Sequence, residues 1–474
     1  MTEVDVDVVV VGAGLAGIGA AIELARRGES FVVLERAADV GGTWRDNTYP
    51  GVACDVPSHL YAFAHSPNPS WSRAYAPGHE IQSYLRGLAA RPSVAPHIKL
   101  GHEVTSAAYL PTGRWEVTTP RGTFRSRVLV LAAGRLTEPR TPDIPGISGF
   151  SGSVFHTARW DHGVKIDGAR IGVVGTGASA IQVVPELAGR AEHLTVFARS
   201  APYVIPRNDH AHAAADAAEM LRVREDAFTG LEQGIAARRR EPAALAELRA
   251  RALGHLAAQV PDPALRARLT PDYEVGCKRI LLSDTFYPAL GRADVSLAGA
   301  LDRLEGRTAI AADGHRADLD VLVFATGFHS TQQPYASRIT GRDGLLLSEA
   351  WSRGMVSHAS TVVHGFPNMF VLDGPNAALG HNSAVHVIES QLSYLVGALD
   401  HLARHDGPLE VTSRAQDAYT RDIDAMAQRT VWLRGGCTSW YVDPRSGRLT
   451  LLWPSTATEF RQRNGRFDPA PFRR

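Results

Sequence analysis

The chain has 474 residues, with 50 basic and 49 acidic side chains giving a formal net charge of +1, and is 44% hydrophobic and 21% charged. That length fits two or three domains with well-filled cores, and a charge so near zero supplies no long-range field for nucleic acid or an anionic membrane as partner. Cys54, Cys277 and Cys437 lie far apart and match neither a disulfide framework nor a metal-ligand spacing, so they are read as free thiols of a reducing compartment, with no metal expected.

The first apolar run, residues 8–11, is too short to span a membrane, and Asp5 and Asp7 stand where a signal peptide would carry positive charge. It reads as the first β-strand of a cytoplasmic protein. It leads through Gly12-Ala13-Gly14-Leu15-Ala16-Gly17 into a helix predicted over 18–27, then a strand over 31–34 that ends at Glu35. Gly12 permits the tight turn, Gly14 lets backbone approach a pyrophosphate, and Gly17 lets helix pack on strand. The helix N-terminus then directs its dipole and free N–H groups at phosphate. Glu35, at the end of the second strand, is placed to accept hydrogen bonds from ribose hydroxyls and to repel a 2′-phosphate. This site suits FAD or NAD rather than NADP.

Farther on, a strand over 128–131 precedes a hinge rich in proline and glycine at 139–149. A second module follows: a strand over 171–174, the turn Gly175-Thr176-Gly177-Ala178-Ser179-Ala180, a helix over 181–187 and a strand over 194–197. Ala180 replaces the third glycine and is still small enough for close packing. The acid is replaced by Ala198-Arg199-Ser200, so Arg199 can pair with a 2′-phosphate and Ser200 can add a hydrogen bond, which suits NADPH. Residues 208–270 are dense in Ala, Arg, Leu and Glu and predict helices with salt-bridged outer faces; His210 and His212 there read as solvated loop residues. A last buried-type strand is predicted over 321–325. The fold class is α/β, with two Rossmann-like dinucleotide-binding domains and a helical insertion. The expected division is 1–145 for the first part of the FAD domain, 146–320 for the NADP domain with its helical segment, and 321–474 for the return to the FAD domain and the C-terminal region.

Two longer patterns narrow the reading. Residues 150–161, with Phe150, Gly152, His156, Trp160 and Asp161, match F-x-G-x-x-x-H-x-x-x-W-[P/D]. Residues 41–55, Gly41-Gly42-Thr43-Trp44 through Tyr49-Pro50-Gly51 to Asp55, match [A/G]-G-x-W-x(4)-[F/Y]-P-[G/M]-x(3)-D. Together they make the chain resemble the type I flavin-dependent Baeyer–Villiger monooxygenases, from about residue 7 to beyond 450. The resemblance takes in Phe324-Ala325-Thr326-Gly327-Phe328, Gly365-Phe366-Pro367-Asn368 and Gly374-Pro375-Asn376.

The resemblance implies that Thr43, Trp44, Asp55 and Tyr61 lie against FAD. It implies that Gly175, Thr176, Gly177, Ala178, Ser179, Ala180, Gln182, Arg199 and Ser200 hold NADPH. Lys278 would help hold the 2′-phosphate, Arg279 would face flavin and nicotinamide, and Trp440 would pack near bound NADP. The implied reaction is oxygen insertion beside a carbonyl through a C4a-peroxyflavin, taking a ketone or related hydrophobic small molecule and O2 to an ester or lactone. Arg279, a cation that does not deprotonate, suits stabilisation of the anions involved, with Asp55 as its orienting partner. His156 and Trp160 are implied to couple domain movement rather than to act as catalysts. An N-terminal extension of longer members is absent, and the sequence after Tyr441 departs from many relatives, so the shape of the substrate pocket is left open. Two other readings stay open at this point: an N- or S-oxygenating or hydroxylating flavin monooxygenase of the same fold, and a flavoprotein that does not oxygenate. A disulfide reductase would need paired cysteines close in sequence beside the flavin, and Cys54 has none.

Overall fold

The computed structural model describes residues 2–212 and 217–473. Its first sheet has eight strands and is built around Thr2–Val11, which pairs in parallel with Phe31–Glu35 on one side and Gly122–Leu131 on the other. Val8, Val9 and Val10 are fully buried because both sheet faces are covered, the reason this run is apolar without alternation. The strand extends farther back than its apolar part. Glu3, Asp5 and Asp7 are exposed and alternate with the part-buried Val4 and Val6, as one face of a half-solvated strand does. Glu3 and Asp5 there pair with Arg125 and Arg114.

The helix Leu15–Arg27 crosses from this strand to the next and ends on Gly28 in the left-handed conformation. An antiparallel meander, Ser106–Tyr109, Trp115–Thr119 and Gly122–Leu131, continues the sheet, and the late segments Ile339–Thr340 and Met369–Val371 return to it. Asn368 holds that return. It adopts a left-handed backbone, donates from Nδ2 to the Arg127 carbonyl and accepts from the Leu409 N–H.

The second sheet is five-stranded and parallel throughout, in the order Val295–Ala298, His193–Phe197, Arg170–Val174, Val321–Phe324, Ser153–His156. The strand Val321–Phe324 opens the last expected segment of the chain, yet it pairs within this sheet; the chain rejoins the first sheet only at Ile339. The Phe150–Asp161 pattern supplies the edge strand, with His156 opposite Phe324. Helices Ala217–Gln233, Ile235–Arg238, Pro242–Gln259 and Pro263–Arg268 lie within the 208–270 stretch, of which residues 208–212 are not helical and 213–216 lie outside the described residues. No helix among the described residues is long and apolar enough to cross a membrane.

The three cysteines are not all free, contrary to expectation. Cys277 and Cys437 form a disulfide, with Cα atoms 6.2 Å apart and 160 residues between them in sequence. Only Cys54 is a thiol, and it is buried. Spacing along the chain carries no sign of this pair because the contact is made by two loops that the tertiary fold brings together.

Burial also sets the acid response. Desolvation lowers the pKa of His156 to about 4, and it does the same for His386, where the charge of Arg461 adds to it. An unfolded chain takes up these protons near pH 6.5, while the fold refuses them until about pH 4. The stability contributed by the two neutral rings is therefore full above 6.5 and declines as pH falls toward 4. Thermal midpoints measured between pH 8 and 4 are expected to drop mainly below 6.5, and His156→Gln is expected to flatten part of that drop.

Candidate active site

A cavity of about 1350 Å3 opens between the two sheets and runs along the C-terminal ends of their strands. Ligands of open α/β sheets occupy this position. Of the residues expected from sequence to bind a cofactor or to act in catalysis, all line the cavity except Gly17 and Ala180, which pack helix against strand beneath it.

The first wall is the turn after Val11. Gly12 has φ +103°, and a Cβ there would lie 2.5 Å from the Ala132 carbonyl oxygen; one on Gly17 would lie 1.8 Å from the Gly12 oxygen. Glycine is thus required at both positions. Gly14 caps the following helix without any side-chain hydrogen bond, so the first-turn N–H groups remain available to a phosphate. The turn Gly41–Gly42 docks on the first, through Gly41 N–H to the Ala13 carbonyl at 2.9 Å. Thr43 and Trp44 follow, with the Trp44 ring edge-on to Tyr61 at 5.5 Å.

Glu35 is almost wholly buried. Its Oε1 accepts from Ala37 N–H at 3.0 Å and from Arg45 Nη1 at 2.8 Å, whereas Oε2 accepts only from Ala13 N–H, at 2.8 Å. A carboxylate oxygen takes more than one donor, so Oε2 has capacity left for a hydroxyl group.

The second wall mirrors the first. Gly177 caps the helix Ala178–Leu187, again without a side-chain bond. Thr176 Oγ1 donates to the Ser200 carbonyl at 2.9 Å. Lys278 Nζ donates to Ser200 Oγ at 2.7 Å and sits 4.4 Å from the Tyr273 ring centre. Burial, then the neighbouring charge of Arg199, lowers the pKa of Lys278. Neither Arg199 nor Lys278 makes an ion pair among the described residues. Two cations held together with no carboxylate in salt-bridge contact suit an anion.

Gln182 does something the sequence did not indicate. It accepts from Tyr49 OH at 2.8 Å through Oε1 and donates from Nε2 to the Ala53 carbonyl at 3.0 Å, so it fastens the second helix to the segment that ends at Asp55.

Between the walls lies Arg279, whose Nε donates to Asp55 Oδ2 at 2.5 Å. Burial pushes the Asp55 carboxyl upward, but the charge and hydrogen bond of Arg279 outweigh it, and Asp55 ends below its ordinary range. The charge of Asp55 raises Arg279 in turn, and the nearby Tyr441 acts in the same direction. Short parallel pairing of Val204–Ile205 with Leu281–Leu282 places the Lys278-Arg279 segment beside Ser200. Trp440 is 43% exposed at the mouth and packs against Tyr441, ring centres 4.3 Å apart and tilted by 40°.

A second cation was missed. Arg135 lines the cavity, pairs with Asp373, and is lowered to about 10 by burial with Arg279 nearby. The signal was present: Ala132-Ala133-Gly134-Arg135 follows its buried strand as Ala325-Thr326-Gly327 follows Phe324, and Gly134 and Gly327 share a left-handed backbone. Removing the partner leaves the guanidinium in the wall uncompensated. Asp373→Ala is expected to lower stability by about 2 kcal/mol, read by urea unfolding of the flavin-free protein.

His156 is buried and neutral, its Nδ1 accepting from Ala158 N–H at 3.0 Å, and Trp160 packs edge-on to Phe155 at 5.0 Å. Neither lines the cavity. Among the described residues no cluster of His, Cys, Asp and Glu is placed to hold a metal.

Known proteins share this arrangement. The family described as pyridine nucleotide-disulphide oxidoreductase matches residues 9–215. A Baeyer–Villiger monooxygenase of Streptomyces coelicolor is 44% identical over 98% of this chain and 92% of that protein. The chain belongs to the Baeyer–Villiger monooxygenase family. Among solved structures, cyclohexanone monooxygenase from Rhodococcus sp. Phi1 bound to NADP+ superposes with a TM-score of 0.86 at 27% identity, over 97% of each chain. A cyclohexanone-bound structure of cyclohexanone monooxygenase gives 0.84 at 28% identity, again over 97% of each. Family membership makes the chain an FAD-containing, NADPH-dependent monooxygenase and favours carbonyl oxygenation over the N- or S-oxygenating alternative. Disulfide chemistry beside the flavin has no support from Cys54, which lines the cavity without a second cysteine.

Proposed function

We propose that this Baeyer–Villiger monooxygenase converts a small hydrophobic ketone, with NADPH and O2, to an ester or lactone in the cavity between the two sheets. The half-buried Arg279–Asp55 pair, standing between two glycine turns of opposite charge preference, carries the reading. The uncapped helix at Gly14 and the spare capacity of Glu35 Oε2 suit the pyrophosphate and ribose of FAD, with Thr43, Trp44, Asp55 and Tyr61 against it. The uncapped helix at Gly177 suits NADPH, with Arg199, Lys278 and Ser200 taking the 2′-phosphate and Trp440 covering the nicotinamide end. When bound, FAD supplies hydride acceptance from NADPH and the activation of O2.

The chain supplies position and electrostatics. Arg279 presents a permanent positive charge where oxygen atoms gain negative charge as a nucleophilic oxygen adds to the carbonyl. Asp55 fixes the direction of that guanidinium through Nε and leaves its terminal nitrogens free. Trp440 and Tyr441 restrict water at the mouth, which keeps the field of Arg279 unscreened.

The test is NADPH-dependent oxygen uptake by the purified flavoprotein with a panel of cyclic, linear and aromatic ketones, and with sulfides, followed by product identification. Ester or lactone formed in step with oxygen uptake is expected. Hydrogen peroxide equal to all oxygen consumed, with no ester from any ketone, would contradict the proposal, and sulfoxide alone would return the heteroatom reading.

A further inference from the structure

The disulfide joins the two loops that close the nicotinamide side. Lys278 and Arg279 follow Cys277 directly; Thr438, Ser439, Trp440 and Tyr441 follow Cys437, and all six residues line the cavity. Cys277 is fully buried, whereas Cys437 is half-buried between the exposed Gly436 and Thr438. Burial of Ser439 and Tyr441 anchors the far end of the second loop, with Tyr441 N–H donating to Ser439 Oγ at 3.3 Å, but few hydrogen bonds cross from it to other segments. Glu274 N–H donates to the Gly435 carbonyl at 2.9 Å, and Ser330 Oγ reaches the Trp440 carbonyl only at 3.4 Å. Arg434, Gly436, Thr438 and Trp440 are exposed. The contact at the bridge is close, since a Cβ on Gly435 would lie 2.6 Å from Cys277 Cβ. Across to other segments the loop makes one firm hydrogen bond and one covalent bond, so its exposed residues depend on the covalent bond for their place.

We infer that the Cys277–Cys437 disulfide is a positioning element for Lys278 and Trp440, so that its reduction loosens the hold on NADP(H) while leaving FAD in place. The inference rests on the NADPH reading given above. The reductant is a dithiol. Its thiolate attacks Cys437 Sγ, on the less buried of the two cysteines, the S–S bond breaks, and Cys277 leaves with the electron pair and takes a proton. The second thiol of the reductant then displaces Cys437, which also ends as a thiol, and the reductant ends as its own cyclic disulfide. The protein gains two electrons and two protons. Disulfides of this kind persist in oxidising compartments and are transient and responsive in reducing ones, and the consequence for the loop is the same in either.

The holoenzyme is equilibrated with oxidised or reduced dithiothreitol and then alkylated under denaturing conditions. One modified thiol, Cys54, is expected in the first case and three in the second. NADP+ affinity is read by calorimetry on both forms. The Kd is expected to rise at least fivefold on reduction and to return on reoxidation, with flavin content unchanged. Trypsin is expected to cut after Arg434 faster in the reduced form. Cys437→Ser should show the weaker affinity in both buffers, and Cys277→Ser provides a second variant should the first fold poorly. Three thiols in the oxidised buffer, or equal Kd in the one-thiol and three-thiol forms, overturns the inference. Lys278→Ala separates the two layers: if it leaves the Kd unchanged, the NADPH reading fails and takes the inference with it. If it weakens binding and reduction does not, only the disulfide's role fails.

Discussion

Arg279→Ala is expected to lower the rate of ester formation by about 10²–10³-fold while the protein still retains FAD. The size follows from removing one fixed positive charge from a dry site where negative charge develops, an effect on the order of 3–4 kcal/mol in comparable sites. The same substitution strips Asp55 of its partner, and a half-buried carboxylate left alone destabilises the fold. Thermal midpoint and flavin content must therefore be measured beside the rate. A salt bridge with only a structural role would lower the midpoint and leave the turnover of the surviving folded enzyme intact. Arg279→Lys keeps the charge but not the planar fork that bonds Asp55 through Nε and leaves the terminal nitrogens free, so it is expected to restore only part of the activity.

The acid side can be worked out from Asp55. Its folded pKa lies below the ordinary carboxylate value because Arg279 outweighs the cost of burial. The pair's stabilisation is then fully present above the unfolded value of about 3.9 and lost as pH falls through the lower folded value. Loss of ester formation between pH 8 and 5 would have to come from another group.

The second large effect concerns cofactor choice. Arg199→Ala and Lys278→Ala together are expected to raise KM for NADPH by about 100-fold or more, at roughly 1.5–3 kcal/mol for each charge-assisted bond lost. KM for NADH, which has no 2′-phosphate, should barely move, and it should not rise with either single change. With these cations gone, the preference for NADPH over NADH falls toward unity in steady-state kinetics. Equal loss with both nucleotides would mean that the two cations act on the fold rather than on the phosphate.

What was legible in the sequence was local. Gly12, Gly14 and Gly17 sit on one strand–turn–helix unit, and Glu35 and Arg199 lie at a fixed offset from their turns, so short-range geometry determines where they point. The strand Thr2–Val11 was recognised only over its buried half. Its outer half alternates acidic and aliphatic residues, a weaker signal than a continuous apolar run. Residues whose roles depend on distant partners were hidden. Gln182 reads as part of a nucleotide turn, yet its amide binds Tyr49 and Ala53. Arg135 carries a local signal in the glycine turn after its strand, but its partner Asp373 comes beside it only when Met369–Val371 returns to the first sheet. Cys277 and Cys437 meet only because two loops converge at the cavity mouth. The Asp55–Arg279 pair lies between these cases: the resemblance supplied it, and no spacing rule would have joined residues so far apart.

The central claim is that this cavity places one atom of O2 beside a carbonyl under the charge of Arg279. The direct measurement is turnover of a ketone with NADPH under ¹⁸O2, with mass spectrometry of the product from the wild-type chain and from Arg279→Ala. One ¹⁸O atom in the ester or lactone from the wild type, and almost no labelled ester from the variant although NADPH is still oxidised, is the predicted result. Unlabelled ester, or labelled ester formed equally by both proteins, would contradict it.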